Sequence, residues 1–199
     1  MLRRLAVALL VVSLSSRLEA QTPRKGIAEY QPSTRGGFWG SMGFGAGMEN
    51  VNLDGDAFGY SDPLWRPTFN FRLGGTVKQT LRLGGEVNVW TNYSGSITET
   101  LVTLMPIIQV YPIRSAGLNF RGGVGYAWSS VSDNYYYGVS SGNNGFATLL
   151  GVGWEFPLSS KFFITPGVDW YQEWYGGGYY PGYTERVINF SISIGLQGG

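Results

Sequence analysis

The sequence predicts an all-β protein, an eight-stranded antiparallel up-and-down transmembrane β-barrel, and three observations carry that expectation. Apolar residues fall at every second position over segments of strand length, clusters of Gly, Asn, Asp, Ser and Pro separate those segments, and 31 of 199 residues are glycine beside 16% aromatics. Alternation with period two marks a strand with one apolar face. Glycine this frequent can mark disorder, but disordered chains are poor in aromatic and β-branched residues, and this one is rich in both.

The N-terminus reads as an export signal. Arg3 and Arg4 precede an apolar run from Leu5 to Leu14, and Ser13, Ser15, Ser16 and Ala20 offer the small residues that cleavage needs. The run is too short to cross a hydrocarbon core of about 30 Å as a helix, which takes about 20 apolar residues. Residues 1–20 are therefore expected to be a signal peptide cut between Ser15 and Ala20. Residues 21–36 hold proline, charge and no period, and are expected to be a flexible lead-in. The barrel domain is expected over residues 37–199.

Within it the strands come in order. The first sets Phe38, Met42, Phe44 and Ala46 against Ser41, Gly43, Gly45 and Gly47. The second sets Phe69, Phe71, Leu73 and Val77 against Asn70, Arg72 and Gly74, and the third Leu81, Leu83, Val87 and Val89 against Arg82, Gly84, Glu86 and Asn88. Residues 100–112 (TLVTLMPIIQVYP) are apolar on both faces, so the fourth has the weakest register, and Pro106 removes one ladder donor. The fifth sets Leu118, Phe120, Val124, Tyr126 and Trp128 against Asn119, Arg121, Gly123, Gly125 and Ala127. The sixth opposes Leu150, Val152, Trp154 and Phe156 to Ala147, Gly151, Gly153 and Glu155. The seventh opposes Phe162, Ile164, Val168 and Trp170 to Thr165, Gly167, Asp169, Tyr171 and Glu173. The last alternates Ile188, Phe190, Ile192, Ile194 and Leu196 with Asn189, Ser191, Ser193 and Gly195. Eight is an even count, as single-chain bacterial barrels require.

Connections are expected to alternate in length. Those near 78–80, 113–116 and 157–160 read as short and periplasmic; those near 49–66, 92–98, 129–144 and 175–185 read as longer and external. Aromatics gather at two levels, Phe120 and Trp154 near the short turns, Trp128 and Trp170 near the long loops. Phe120 to Trp128 spans about 26 Å along a strand rising ~3.3 Å per residue, which after tilt approximates an oily band between two aromatic girdles.

The polar face decides which side is inside. Eight strands close around a lumen wide enough only for side chains, and here the charges share a face with the glycines, so that face is expected inward and the large apolar face outward, towards lipid. Buried charges need partners. A short turn near Lys78–Thr80 would set Arg72 opposite Glu86, and Arg82, Arg121, Glu155, Asp169 and Glu173 complete an expected plug of linked ion pairs.

Other chemistries are poorly supplied. The chain has no histidine, so a Ser–His–Asp arrangement is excluded, and no cysteine, so there are no disulfides and no cysteine-linked lipid. Asp169 and Glu173 could pair as acid and base, but beside lumen arginines they read as structural, and no enzyme is expected. Asn52 to Asp56 lacks the spacing of a calcium loop. No metal or cofactor is expected. Losing residues 1–20 leaves a near-neutral chain without a basic patch, which disfavours nucleic acid. Residues 129–144 and 175–184, with Tyr135, Tyr136, Tyr137, Tyr179, Tyr180 and Tyr183 among Gly, Ser and Asn, have the composition of binding loops. An extended outer girdle reads the same tyrosines without a ligand.

With its "GFWGSMGFGAG" opening, "LRLGGEVNVW" strand and "INFSISIGL" close, the chain resembles the small outer-membrane barrel family of the OmpA/OmpX type over about residues 37–197. The resemblance implies a bacterial outer-membrane location, eight strands without a wide pore, outer-membrane lipid and the barrel-assembly machinery as partners, and a role between envelope integrity and adhesion. The chain departs from the family's usual terminal aromatic by ending Leu196-Gln197-Gly198-Gly199, and Phe190 or Leu196 is expected to substitute. A monomeric structural or adhesin-like barrel with an unidentified surface ligand is the expected function. The alternatives are a narrow passive channel for ions or small hydrophilic solutes and, more remotely, a soluble lipocalin-like carrier.

Overall fold

A computed structural model describes residues 35–53, 59–133, 139–176 and 182–198, all within the unit that begins at Pro32. The strands are β1 (Phe38–Leu53), β2 (Leu64–Lys78), β3 (Leu81–Ser94), β4 (Ile97–Val110), β5 (Leu118–Asp133), β6 (Val139–Trp154), β7 (Phe156–Pro157), β8 (Phe162–Tyr175) and β9 (Tyr183–Gln197). From β1 to β6 each pairs antiparallel with the next, β6 and the two-residue β7 both pair with β8, β8 pairs with β9, and β9 returns to β1 from Trp39↔Gln197 to Leu53↔Tyr183. The wall thus closes with eight staves, β6 and β7 sharing the sixth, and closure removes the free sheet edge that would otherwise invite foreign strands.

Two prolines explain the gaps in the ladder. Pairing of β6 with β8 stops at Gly153↔Gly167 and resumes as Phe156↔Ile164, which leaves Trp154 and Glu155 opposite Thr165 and Pro166. Proline has no N–H to donate across the ladder; the Glu155 amide faces the other neighbour and donates to the Gly117 carbonyl at 2.9 Å, which extends the pairing of β6 with β5. In β4 the same loss at Pro106 falls between Leu104↔Tyr126 and Ile107↔Gly123.

Strand residues follow the predicted alternation. Phe44, Leu104, Leu150, Ile192 and Ile194 point out and are exposed, whereas Arg72, Glu86, Asn88, Arg121 and Asp169 point in and are buried. The interior is nonetheless less uniformly small and polar than expected. Trp39, Trp90, Leu101, Met105, Ile107, Leu149 and Tyr171 also point inward and form a buried apolar cluster. This resolves the double apolar face of the fourth strand: Leu101, Met105 and Ile107 fill the lumen while Leu104, Ile108 and Val110 are exposed outside.

The connections differ from expectation on one side. Where residues 92–98 were expected to form a longer loop, β3 and β4 are joined by Gly95 and Ser96 alone, with Gly95 at φ +62°, a conformation that glycine adopts without steric cost. Likewise β1 runs on to Leu53, β5 to Asp133, and β6 begins at Val139, so much of the expected loops at 49–66 and 129–144 is ladder. The hydrophobic alternation fades there because both faces meet water or polar groups, while backbone pairing needs no such pattern.

Candidate functional site

The candidate site is the lumen, read from the end that holds the chain termini of the wall, Phe38 and Gln197, to the opposite loop end. Strand parity alone aims its side chains inward: Arg72 on β2 stands directly across from Glu86 on β3, and Gly151 on β6 across from Asp169 on β8.

Near the terminal end, Glu155 is the hub. One carboxylate oxygen accepts from Arg35 Nε at 3.1 Å, and the other accepts from Arg82 at 2.7 Å and from the Tyr111 hydroxyl at 2.7 Å. Arg35 also donates to the carbonyls of Arg114 and Ala116, at 3.1 and 2.8 Å, and lies over the Tyr111 ring at 3.7 Å. Arg82 reaches Gln197 at 2.7 Å, tying β3 to the last strand. Arg35, placed by the sequence in the flexible lead-in, is therefore a buried anchor of this end.

One layer further in, Asp169 is bidentate between two arginines: Arg72 donates to one oxygen and Arg121 to the other, both at 2.7 Å. Arg72 also donates through Nε to Glu86, whose second oxygen accepts from the Tyr171 hydroxyl. Arg121 adds Asn119 at 2.9 Å. Charge-assisted bonds of this kind, each carboxylate oxygen filled, make a buried charge tolerable.

Of the seven lumen residues named from the sequence, six thus enter two networks: Arg82 with Glu155, and Arg72, Glu86, Arg121 and Asp169 together. Glu173 joins neither. It lies nearer the loop end, accepts from the Tyr175 hydroxyl, and faces Glu185 directly across β8 and β9. Asp169 and Glu173 thus have different partners among the described residues, arginines for the first and a tyrosine hydroxyl for the second.

Sequence reasoning missed Arg35, Tyr111, Glu49 and Glu185. Parity would have found three of them: Tyr111 continues the inward series of Gln109, Glu49 that of Gly45 and Gly47, and Glu185 that of Asn189 and Ser191. Arg35 precedes the first strand and carries no periodic signal.

At the loop end, Tyr183 stacks on Tyr175 with centroids 4.7 Å apart, and its hydroxyl bonds to Ser129 at 2.8 Å and accepts from Asn143 at 3.2 Å. It packs the mouth rather than standing free. Tyr135, Tyr136, Tyr137, Tyr179 and Tyr180 lie outside the described residues. Among the described residues no three acidic side chains converge on a point that could hold a metal ion.

No protein-family model matches the sequence, and no curated protein matches it. Solved structures do resemble it. Surface protein A of Neisseria, 12% identical, aligns over 81% of this chain and 97% of its own with a TM-score of 0.58. Ail, the attachment invasion locus protein of Yersinia pestis, solved with the heparin analogue sucrose octasulfate, is 12% identical and aligns over 80% of this chain and 99% of its own with a TM-score of 0.51. At such identities the likeness speaks for architecture, and by its architecture this chain is a closed eight-stranded antiparallel barrel of the outer-membrane type.

Proposed function

We propose that the chain is an integral bacterial outer-membrane barrel, exported by a cleaved signal peptide, whose packed lumen leaves its work to the outer surface, in a structural or surface-interaction role. One observation carries this reading. On a closed barrel, Phe44 is 68% exposed, Ile192 60% and Leu150 59%, while Glu86 and Asp169 inside are at 1% and 0%. A soluble barrel inverts that arrangement, because apolar area left in water costs roughly 25 cal/mol per Å². Acyl chains are the solvent that suits this outer face.

Aromatic pairs support the placement. Trp65 stacks on Phe190 at 5.7 Å and Phe146 meets Trp174 at 5.9 Å towards the loop end, while Trp154 and Phe156 meet at 6.4 Å towards the other. Amphipathic rings at two heights fit the two interfaces of a membrane. The partners of this reading are outer-membrane lipid and the barrel-assembly machinery, with the protein a monomer and its surface ligand unidentified.

The lumen favours a plug over the narrow-channel alternative, since ion pairs, Trp39, Trp90, Tyr171 and Leu149 occupy it at successive levels. Attachment, named for Ail, is a role open to such a surface. The sulfated ligand bound to Ail needs a cationic contact, however, and the mouth of this barrel is rich in carboxylates, so that ligand class is not carried over. Without histidine, hydrolytic chemistry of the triad kind has no base.

Heat-modifiable migration of the membrane fraction tests the reading. The folded barrel should run apart from the boiled chain, and lipid-phase labels should reach Val152, Trp154 and Ile192. Free solubility without detergent, with those positions shielded, would overturn it.

A further inference from the structure

Charge is divided unevenly along the lumen. The ion pairs found among the described residues, from Arg35–Glu155 to Arg121–Asp169, all lie in the half towards the termini. Towards the loop end, Glu49, Glu99, Glu173 and Glu185 project inward from β1, β4, β8 and β9. The basic residues described at that end are Arg66 and Arg186; no described ion pair joins either to these acids, although the Arg186 Nε is itself buried without a partner. Arg66 donates to Asn92, and Arg186 lies over the Tyr60 ring at 4.3 Å and donates to Asn50 at 3.3 Å. The remaining connecting segments at this end, 54–58, 134–138 and 177–181, contain no lysine or arginine.

Two of these carboxylates are buried and incompletely bonded. Glu49 is 5% and Glu185 3% exposed, yet Glu49 Oε1 and Glu185 Oε2 have no hydrogen-bond partner. Glu185 lines a cavity of about 240 Å³ at the mouth, together with Glu99, Ser129, Asn143 and Tyr183, and Glu49 is one inward step along β1 from Val51, which lines it too. A buried carboxylate oxygen without a donor is costly, and Glu173 and Glu185, set directly opposite each other, cannot both be ionised cheaply.

We propose that the mouth of the barrel binds an organic cation of the aliphatic polyamine class. The four carboxylates come from four strands and do not converge on one ion, which suits ammonium groups spaced along a flexible chain better than a single metal. Ammonium is a donor without an acceptor, so it fills what the orphaned oxygens lack. The Tyr183 ring, held by its stack on Tyr175, offers a face for a cation, and Ser129 and Asn143 add acceptor oxygens. The surplus of acid at this end also draws cations towards the mouth.

The proposal extends the reading of a surface-interaction barrel but is tested apart from it, because binding in micelles does not depend on membrane placement. The folded protein in detergent is titrated calorimetrically with spermidine at low salt, and heat-modified migration confirms that each variant is folded. Saturable binding is expected, weakened at least tenfold by Glu185→Gln and by Glu49→Gln and unchanged by Asp62→Asn, an acid of the same end that does not line the cavity. No saturable heat would overturn the proposal, as would equal weakening by Asp62→Asn, which marks diffuse surface charge, or binding of calcium chloride with which spermidine does not compete.

Discussion

The two halves of the lumen solve the burial of charge in opposite ways. Towards the termini every described lumen carboxylate is matched: Glu155 by Arg35 and Arg82, Asp169 by Arg72 and Arg121, Glu86 by Arg72 and Tyr171. Towards the loops Glu173 faces Glu185, and the described donors are the Tyr175 hydroxyl, to Glu173, and the Asn92 amide, to Glu99, rather than arginines. Matching ties the staves of one half together across the lumen. The other half keeps a surplus of acid, the recognition feature of the proposed polyamine site.

If the inner half is a seal, breaking it should be the most damaging change available. Glu86→Arg would put a second guanidinium against Arg72 and strand the Tyr171 hydroxyl. Opposing buried like charges exceed the roughly 3–5 kcal/mol of a simply broken buried pair, so the barrel in detergent should melt far lower, or fail to fold. Asp169→Ala is next, at about 3–5 kcal/mol, because it leaves Arg72 short of one partner and Arg121 without its carboxylate. Urea unfolding of the refolded barrel measures both, and an unchanged midpoint would mean that the network does not hold the staves together.

Much of this was legible before any coordinates. Strand parity placed Arg72, Arg82, Glu86, Arg121, Glu155 and Asp169 on one face because charge and glycine shared it, and turn length set Arg72 against Glu86. Parity says which way a side chain points but not how far it reaches. Arg121 could have been assigned to Glu155, yet it reaches Asp169, two staves away along the wall from β5. The large inward residues were hidden for a related reason. Trp39 and Trp90 are apolar on the polar face, so a pattern read as oily against small reports nothing unusual, although their parity was plain.

The seal also makes a prediction about transport. A Cβ added at Gly151 would lie 2.0 Å from an Asp169 carboxylate oxygen, so Gly151→Leu must displace the hub of the network. Overpacking of this sort costs about 1–3 kcal/mol. Single-channel recording of the parent should show negligible conductance, which leaves the substitution nothing to block. A steady current in the parent that Gly151→Leu abolishes would replace the seal with a narrow pore.

The outer half should respond with the opposite sign. Glu185→Gln keeps the size of the side chain, removes one ionisable group of a directly opposed pair and supplies an amide donor near Glu49 and Glu173. Cross-strand like-charge contacts are worth about 0.2–1 kcal/mol, so the variant should be as stable as the parent or slightly more so. Urea midpoints compared side by side would detect this, and the contrast with Asp169→Ala is the informative quantity. Two buried carboxylates on the same strand pair would then differ in sign when neutralised, as expected where one completes the seal and the other waits for a partner from outside. A loss for Glu185→Gln comparable to that for Asp169→Ala would instead make the mouth acids part of the structural network and erase the distinction between the halves.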